Sequence, residues 1–297
     1  MCELLGMNCN TPTDICFSFA GFQQRGGATS VHADGWGIAF FEGVGARVFL
    51  DPQPSFRSPV AELVRNYPIR SKNVIAHIRK ATHGRIALEN THPFMRELWG
   101  RYWIFAHNGA VPGFGQVNHD APAFCATTEA AAQVFNDGSG PQPVGDTDSE
   151  AVFCWLLRQL RQRFGATPPA RDELFSTLHE LTLKVGASGE FNYLLSNGDW
   201  LFAHCSRKLA FVVRKAPFAV AHLADEDVSV DFAELTTPSD RVAVIATTPL
   251  TDNEEWTTMP PGSLWLFEEG VPVAQAPTVP APPRKEETGS AAVASAA

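Results

Sequence analysis

Between Trp36 and Gly109, short apolar runs alternate with turn residues. GWGIAFFEG, RVFLD, NVIAHIRKA and RYWIFAHNG are rich in β-branched and aromatic side chains and are bounded by Gly, Pro or Asn, which predicts four strands. The period then changes. Thr147-Asp148-Ser149-Glu150 has capping-box spacing, and apolar residues recur at Val152, Trp155, Leu156 and Leu160. Arg158, Arg161 and Arg163 gather where a helix dipole favours cations, and Gly165 supplies a stop. Further helices are expected over 171–185 and 13–24. FNYLLSNGDWLFAHC reads as a tight hairpin centred on Asn-Gly, and LAFVVR, RVAVIATTP and SLWLFEEG read as later strands. Strands, then helices, then strands again predict α+β layers, not a parallel sheet built from βαβ units.

Composition adds limits to this outline. The chain has 297 residues and a net charge of −9. The acidic balance argues against a nucleic-acid partner, because phosphate binding needs clustered Lys and Arg. No apolar run approaches the roughly 18 residues of a membrane span, so no membrane partner is expected. MCELLGMNCN has no basic region followed by an apolar one, so the expected location is the cytoplasm. Residues 271–297 are rich in Pro, Ala and Ser and are expected to form a disordered tail behind one domain covering 2–270. A Gly/Pro-rich loop is expected at 137–145.

The six cysteines are Cys2, Cys9, Cys16, Cys125, Cys154 and Cys205. None form a CxxC pair, and disulfides are not expected in a cytosolic chain of this size. Cys16 and Cys154 read as core residues inside helices, which speaks against a papain-type Cys-His pair. His77, His83, His92 and His107 fall close together, but no helical ExxH or HxxxH spacing joins them. They read as satisfied, half-buried histidines, and no metal or other cofactor is expected.

Five positions carry chemistry worth weighing against plain structural roles. Removal of Met1 would leave Cys2 with a thiol and a free α-amine, and that amine has a reference pKa of about 7.7–8.0, so nucleophile and base would share one residue. The structural alternative is an incidental second-position cysteine. Arg79 leaves a strand end and could clamp a carboxylate, or be an ordinary surface arginine. Asn108-Gly109 could be a hairpin turn, or could offer a side-chain amide and a backbone N–H to an oxyanion. Asp148 could complement a helix dipole, or receive an ammonium group.

In order along the chain, MCELLG, QRGG…DGWGIAF, AHIRKATHG…NTHPF, FAHNGAV and GDTDSE resemble the glutaminase domain of class II glutamine amidotransferases, above all the stand-alone bacterial, YafJ-type members. IATTPLTDNEEW…MPPGSLW is similar to the end of such domains. The resemblance implies an N-terminal nucleophile (Ntn) hydrolase fold, a four-layer αββα sandwich of two antiparallel sheets between helices. It implies Cys2 as nucleophile, Asn108 and Gly109 as oxyanion hole, and Arg79 for the glutamine α-carboxylate. Asp148, with backbone groups near Thr82 and His83, would take the α-ammonium. Arg25, in QRGG, matches a family arginine near the nucleophile, grouped here with the substrate-binding residues and expected to position the N-terminal segment. His92 matches a family histidine of structural role. Lys80 stands where many members have an aromatic residue, which alters one pocket wall. No synthase domain follows, so the resemblance implies either an ammonia-accepting synthase partner or hydrolysis alone. A γ-glutamyl compound other than glutamine is the second enzymatic reading. A non-catalytic amino-acid-binding regulator is the third.

Overall fold

A computed structural model describes residues 2–81, 85–114 and 140–279. Two antiparallel sheets stack face to face. The first orders its strands as β13 (Thr257–Thr258), β9 (Ala210–Lys215), β12 (Arg241–Ala246), β1 (Glu3–Thr13), β4 (Ser71–Ile78), β2 (Trp36–Glu42) and β3 (Gly45–Asp51). The second runs β15 (Val271–Pro277), β14 (Ser263–Glu268), β8 (Leu201–Cys205), β7 (Glu190–Ser196), β6 (Arg101–Ala110) and β5 (Phe94–Leu98). A separate hairpin pairs β10 (Val220–His222) with β11 (Ser229–Asp231).

Side-chain alternation sorts the core into three slabs. Leu4, Ile75 and Ile245 of the first sheet meet Ile104, Leu194 and Leu201 of the second. On the outside of the first sheet, Met7, Trp36 and Ile38 pack on Phe19 and Phe22 of α1 (Cys16–Gln24) and on Val64 of α2 (Pro59–Asn66). Outside the second, Phe105, Tyr193 and Phe202 pack on Phe153 and Leu156 of α3 (Asp148–Phe164) and Leu178 of α4 (Arg171–Gly186). Burying each such large side chain contributes about 1.5–3 kcal/mol. The result is the expected αββα sandwich, and this four-layer arrangement is the Ntn hydrolase fold.

The strands read from the sequence pattern form, but the central one, β1, was not among them. Helices cover one face of its sheet and the second sheet covers the other. Its residues 3–9 are therefore all buried, and no apolar–polar alternation marks them. Gly6 lets the second sheet close in, since a Cβ there would touch Leu194 and Leu201. Because β1 runs to Thr13, α1 begins at Cys16 instead of 13.

The capped helix starts as expected. Thr147 Oγ1 accepts the Glu150 N–H at 3.3 Å, and Gly165 ends α3 at φ +62°. The return half of the capping box is missing: the Glu150 carboxylate instead accepts the N–H groups of Val144 (3.0 Å) and Gly145 (2.6 Å) and pairs with Arg96. The predicted hairpin has a four-residue loop, because Ser196 pairs with Leu201 and Asn197 Oδ1 accepts the N–H groups of Asp199 and Trp200.

The disordered tail expected from 271 needs correction. Val271–Pro277 is an edge strand paired with β14, and the Thr278 N–H donates to the Gly262 carbonyl at 2.7 Å. An edge strand needs partners on one side only, so Pro272 and Pro277 are tolerated and small side chains suffice. The rest of that segment, from 280, lies outside the described residues, as do Cys125 and the start of the loop expected at 137–145. Among the described residues no helix is long and apolar enough to cross a membrane.

Candidate active site

The start of β1 brings the two sheets together chemically. Glu3 pairs with Ile78 across β1 and β4, so Cys2 lies beside the chain leaving β4. The Lys80 N–H points at the Cys2 sulfur at 3.2 Å, and the Lys80 carbonyl oxygen lies 3.4 Å away. From the second sheet, Asn108 Oδ1 accepts the Cys2 N–H at 3.2 Å, and Asn108 Nδ2 donates to the Cys2 carbonyl at 2.5 Å. These two bonds close a ring on the Cys2 backbone. Burial pushes the half-buried Cys2 thiol above its ordinary pKa. The Lys80 N–H and Arg79 pull the other way.

Asn108-Gly109 is not a turn. Both residues lie inside β6, opposite Asn192 and Phe191 of β7. Asn192 Nδ2 donates to the Asn108 carbonyl at 3.1 Å, while its Oδ1 accepts the N–H groups of Ser206 and Arg207 at 3.0 Å each. Gly109 has φ +152°, and a Cβ there would run into the Glu190 carbonyl. Only glycine fits the position without strain.

Arg79 is buried, not a surface residue. Its backbone N–H donates to the Gly35 carbonyl at 2.8 Å, and its Nη1 donates to the Arg85 carbonyl at 2.8 Å. Burial draws the guanidinium below its ordinary pKa, opposed by Cys2, Asp34 and Asp146. Asp34 Oδ2 accepts the Ala81 N–H at 2.8 Å and so shapes the turn that aims Lys80 at the sulfur. Thr82 and His83 lie outside the described residues.

Asp148, the first residue of α3, accepts the Val111 N–H at 2.7 Å, just past the end of β6. Next to it, Ser149 Oγ meets His107 Nδ1 at 2.8 Å, and His107 Nε2 meets the Glu190 carbonyl at 3.1 Å. A carbonyl can only accept, which assigns the His107 proton to Nε2 and leaves Nδ1 to accept from Ser149. Burial lowers the His107 pKa and keeps the ring neutral.

The reading of half-buried, satisfied histidines fails at two positions. His77 and His92 are buried, with ring centroids 4.2 Å apart, and among the described residues their ring nitrogens meet no partner at full hydrogen-bond geometry, the His107 backbone coming nearest to His77. Burial holds both far below the ordinary histidine pKa. Their spacing along the chain concealed a contact made by tertiary packing. Among the described residues no group of three His, Cys, Asp or Glu side chains could hold a metal ion. Cys16 opens α1 and does not sit inside it; burial and the Asp14 carboxylate push its thiol up to about 12.

Arg25 points to the N-terminal segment. Its guanidinium bonds Asp225 (2.7 Å), Glu3 (3.4 Å) and the carbonyls of Thr248 (2.8 Å) and Pro249 (2.6 Å). These bonds tie the end of α1 to the start of β1 and to the 248–249 stretch. The Lys80 N–H, Asp34, Asn192 and Ser149 were not singled out from sequence. Each acts through backbone geometry or through a partner distant in sequence.

Comparison with known proteins supplies the family. The profile of the class-II glutamine amidotransferases matches residues 1–290. This chain belongs to that family. It is 51% identical over 267 residues to YafJ of Escherichia coli (strain K12), covering 90% of this chain and 97% of that protein. A crystal structure from Pseudomonas aeruginosa PA01, described there as a predicted glutamine amidotransferase, is 44% identical. It has a TM-score of 0.67 and covers 92% of this chain and 99% of that one. A gamma-glutamyl-hercynylcysteine sulfoxide hydrolase from Mycobacterium tuberculosis is 33% identical over 137 residues, 44% of this chain and 53% of that protein.

Proposed function

We propose that this chain hydrolyses the side-chain amide of glutamine with Cys2, freed by removal of Met1, as nucleophile. The observation that carries the reading is the Asn108 ring on the Cys2 backbone, with the Lys80 N–H aimed at the same sulfur. Arg79 takes the α-carboxylate and Asp148 the α-ammonium, which fixes the amide over the thiol. The α-amine of Cys2 accepts the thiol proton, and the sulfur attacks the amide carbon. The oxyanion forms against the Asn108 side-chain amide and the Gly109 N–H. The protonated amine then gives its proton to the amide nitrogen, ammonia leaves and a γ-glutamyl thioester remains. Water, deprotonated by the same amine, attacks the thioester, releasing glutamate and restoring the thiol. The ammonia passes to a partner synthase or to solvent.

The test is ammonia release from glutamine by purified protein, beside a Cys2→Ala variant. Release that depends on Cys2 supports the proposal. Glutamine binding without release supports the regulator reading instead. A second reading has an observation behind it: the match to the mycobacterial hydrolase, together with the exposed Lys80 beside the nucleophile, favours another γ-glutamyl compound. A panel of γ-glutamyl amides separates the two by kcat/KM.

A further inference from the structure

The carbonyl of Asn108 and the N–H of Gly109 belong to one peptide unit, and a side chain from the neighbouring strand holds it. Asn192 lies opposite Asn108 across β6 and β7 and is wholly buried. Its Nδ2 donates to the Asn108 carbonyl at 3.1 Å. Its Oδ1 accepts three successive N–H groups from the turn after β8, those of Ser206 and Arg207 at 3.0 Å each and of Lys208 at 3.4 Å. The 206–208 turn therefore fixes which end of the amide faces β6, because only the nitrogen can donate to a carbonyl.

The hold acts through the peptide plane. The Asn108–Gly109 bond is trans, so its C=O and N–H point in opposite directions. A donor from β7 on the carbonyl turns the Gly109 N–H away from β7. β5 reaches only to Phe94, opposite Phe105, so among the described residues no strand pairs with β6 on that side at Gly109. Glycine, here at φ +152°, supplies little torsional restraint of its own, and the aim of its N–H must be set from outside the residue. A hydrogen bond accepted by the carbonyl also polarises the peptide and strengthens the N–H as a donor. We infer, resting on the amide hydrolysis proposed above, that Asn192 is a positioning residue for the oxyanion hole: its amide fixes the Asn108–Gly109 peptide so that the Gly109 N–H meets the developing oxyanion.

The test compares three variants of the whole chain. Asn192→Asp keeps an acceptor for the 206–208 turn and loses the donor to Asn108. Asn192→Ser is too short to reach that carbonyl. Tyr193→Phe removes a buried hydrogen bond to Thr182 (2.8 Å) from the next residue of the same strand and serves as the stability control. Both Asn192 variants are expected to lower kcat for ammonia release from glutamine about 10- to 100-fold, with KM within about threefold and iodoacetamide labelling of Cys2 at the parent rate. Tyr193→Phe is expected to lose stability yet keep kcat within about twofold. In amide NMR spectra the Gly109 N–H resonance is expected to move in both Asn192 variants and not in Tyr193→Phe. A kcat loss no greater than that of Tyr193→Phe, a loss carried by KM, or an unmoved Gly109 resonance overturns the inference. A parent protein without Cys2-dependent ammonia release contradicts the hydrolysis reading instead, and the Gly109 resonance then decides the positioning role on its own.

Discussion

Cys2 and Cys9 flank the same stretch of chain, one before β1 and one near its far end, and both lie against β4. Burial raises both thiols, Cys9 to about 11. The hydrogen bonds differ. Cys9 Sγ faces two carbonyls, those of Ser71 at 3.2 Å and Lys72 at 3.5 Å, to which it can only donate. Hydrogen bonds from Thr13 and the charge of Lys72 oppose the burial without offsetting it. Cys2 Sγ faces one carbonyl, that of Lys80 at 3.4 Å, and the Lys80 N–H at 3.2 Å, and Arg79 adds positive charge nearby. Burial therefore does not separate the proposed nucleophile from a core filler. Chain position does, because only Cys2 can gain a free amine.

This contrast can be broken most sharply at the sulfurs. Cys2→Ala is expected to reduce ammonia release from glutamine to background, whereas Cys9→Ala stays within about twofold of the parent rate, since it leaves every site contact in place. Asn108→Ala is next in size. Loss of one oxyanion donor is expected to lower kcat by about 100- to 1,000-fold, with KM changed only a few-fold, in steady-state assays.

The Cys2 end of the sandwich also holds the buried His77–His92 stack, which makes it acid-sensitive. Both rings are neutral when folded, with pKa values depressed below the ordinary 6.5. The unfolded chain therefore takes up protons first. Stability is complete above about pH 6.5 and is lost as pH falls below it, by up to about 1.4 kcal/mol per pH unit for each histidine. Urea midpoints at pH 7 and 5.5 should show this, and the His77→Phe/His92→Phe pair should flatten it. The smallest expected effect concerns thiol reactivity. Iodoacetamide labelling of Cys2 should rise with pH, and Arg79→Gln should move that rise to higher pH, about tenfold slower at neutrality, because a nearby cation has been removed. Cys9 labelling should not respond.

Much of this fold was legible because most strands expose one face or end in turn residues, and because Thr147 and Gly165 mark α3 at both ends. β1 was not, since a strand covered on both faces loses its period. The edge strand Val271–Pro277 was hidden for the opposite reason, being too proline-rich and small-chained to resemble one. At the site, the ordered motifs pointed to Cys2, Arg79, Asn108, Gly109 and Asp148. Composition and spacing could not reveal that Asn108-Gly109 lies within a strand, which depends on its pairing with Asn192 and Phe191. The Lys80 N–H and Asp34 were equally hidden, because a backbone donor carries no residue identity.

The central claim is that Cys2 becomes the first residue and reacts through its sulfur. Intact-mass and peptide spectrometry of protein purified from its native cell, before and after 6-diazo-5-oxonorleucine, tests it most directly. The account predicts a chain lacking Met1 that gains one adduct, located on Cys2. Active protein that retains Met1, or an adduct on any other residue, contradicts it.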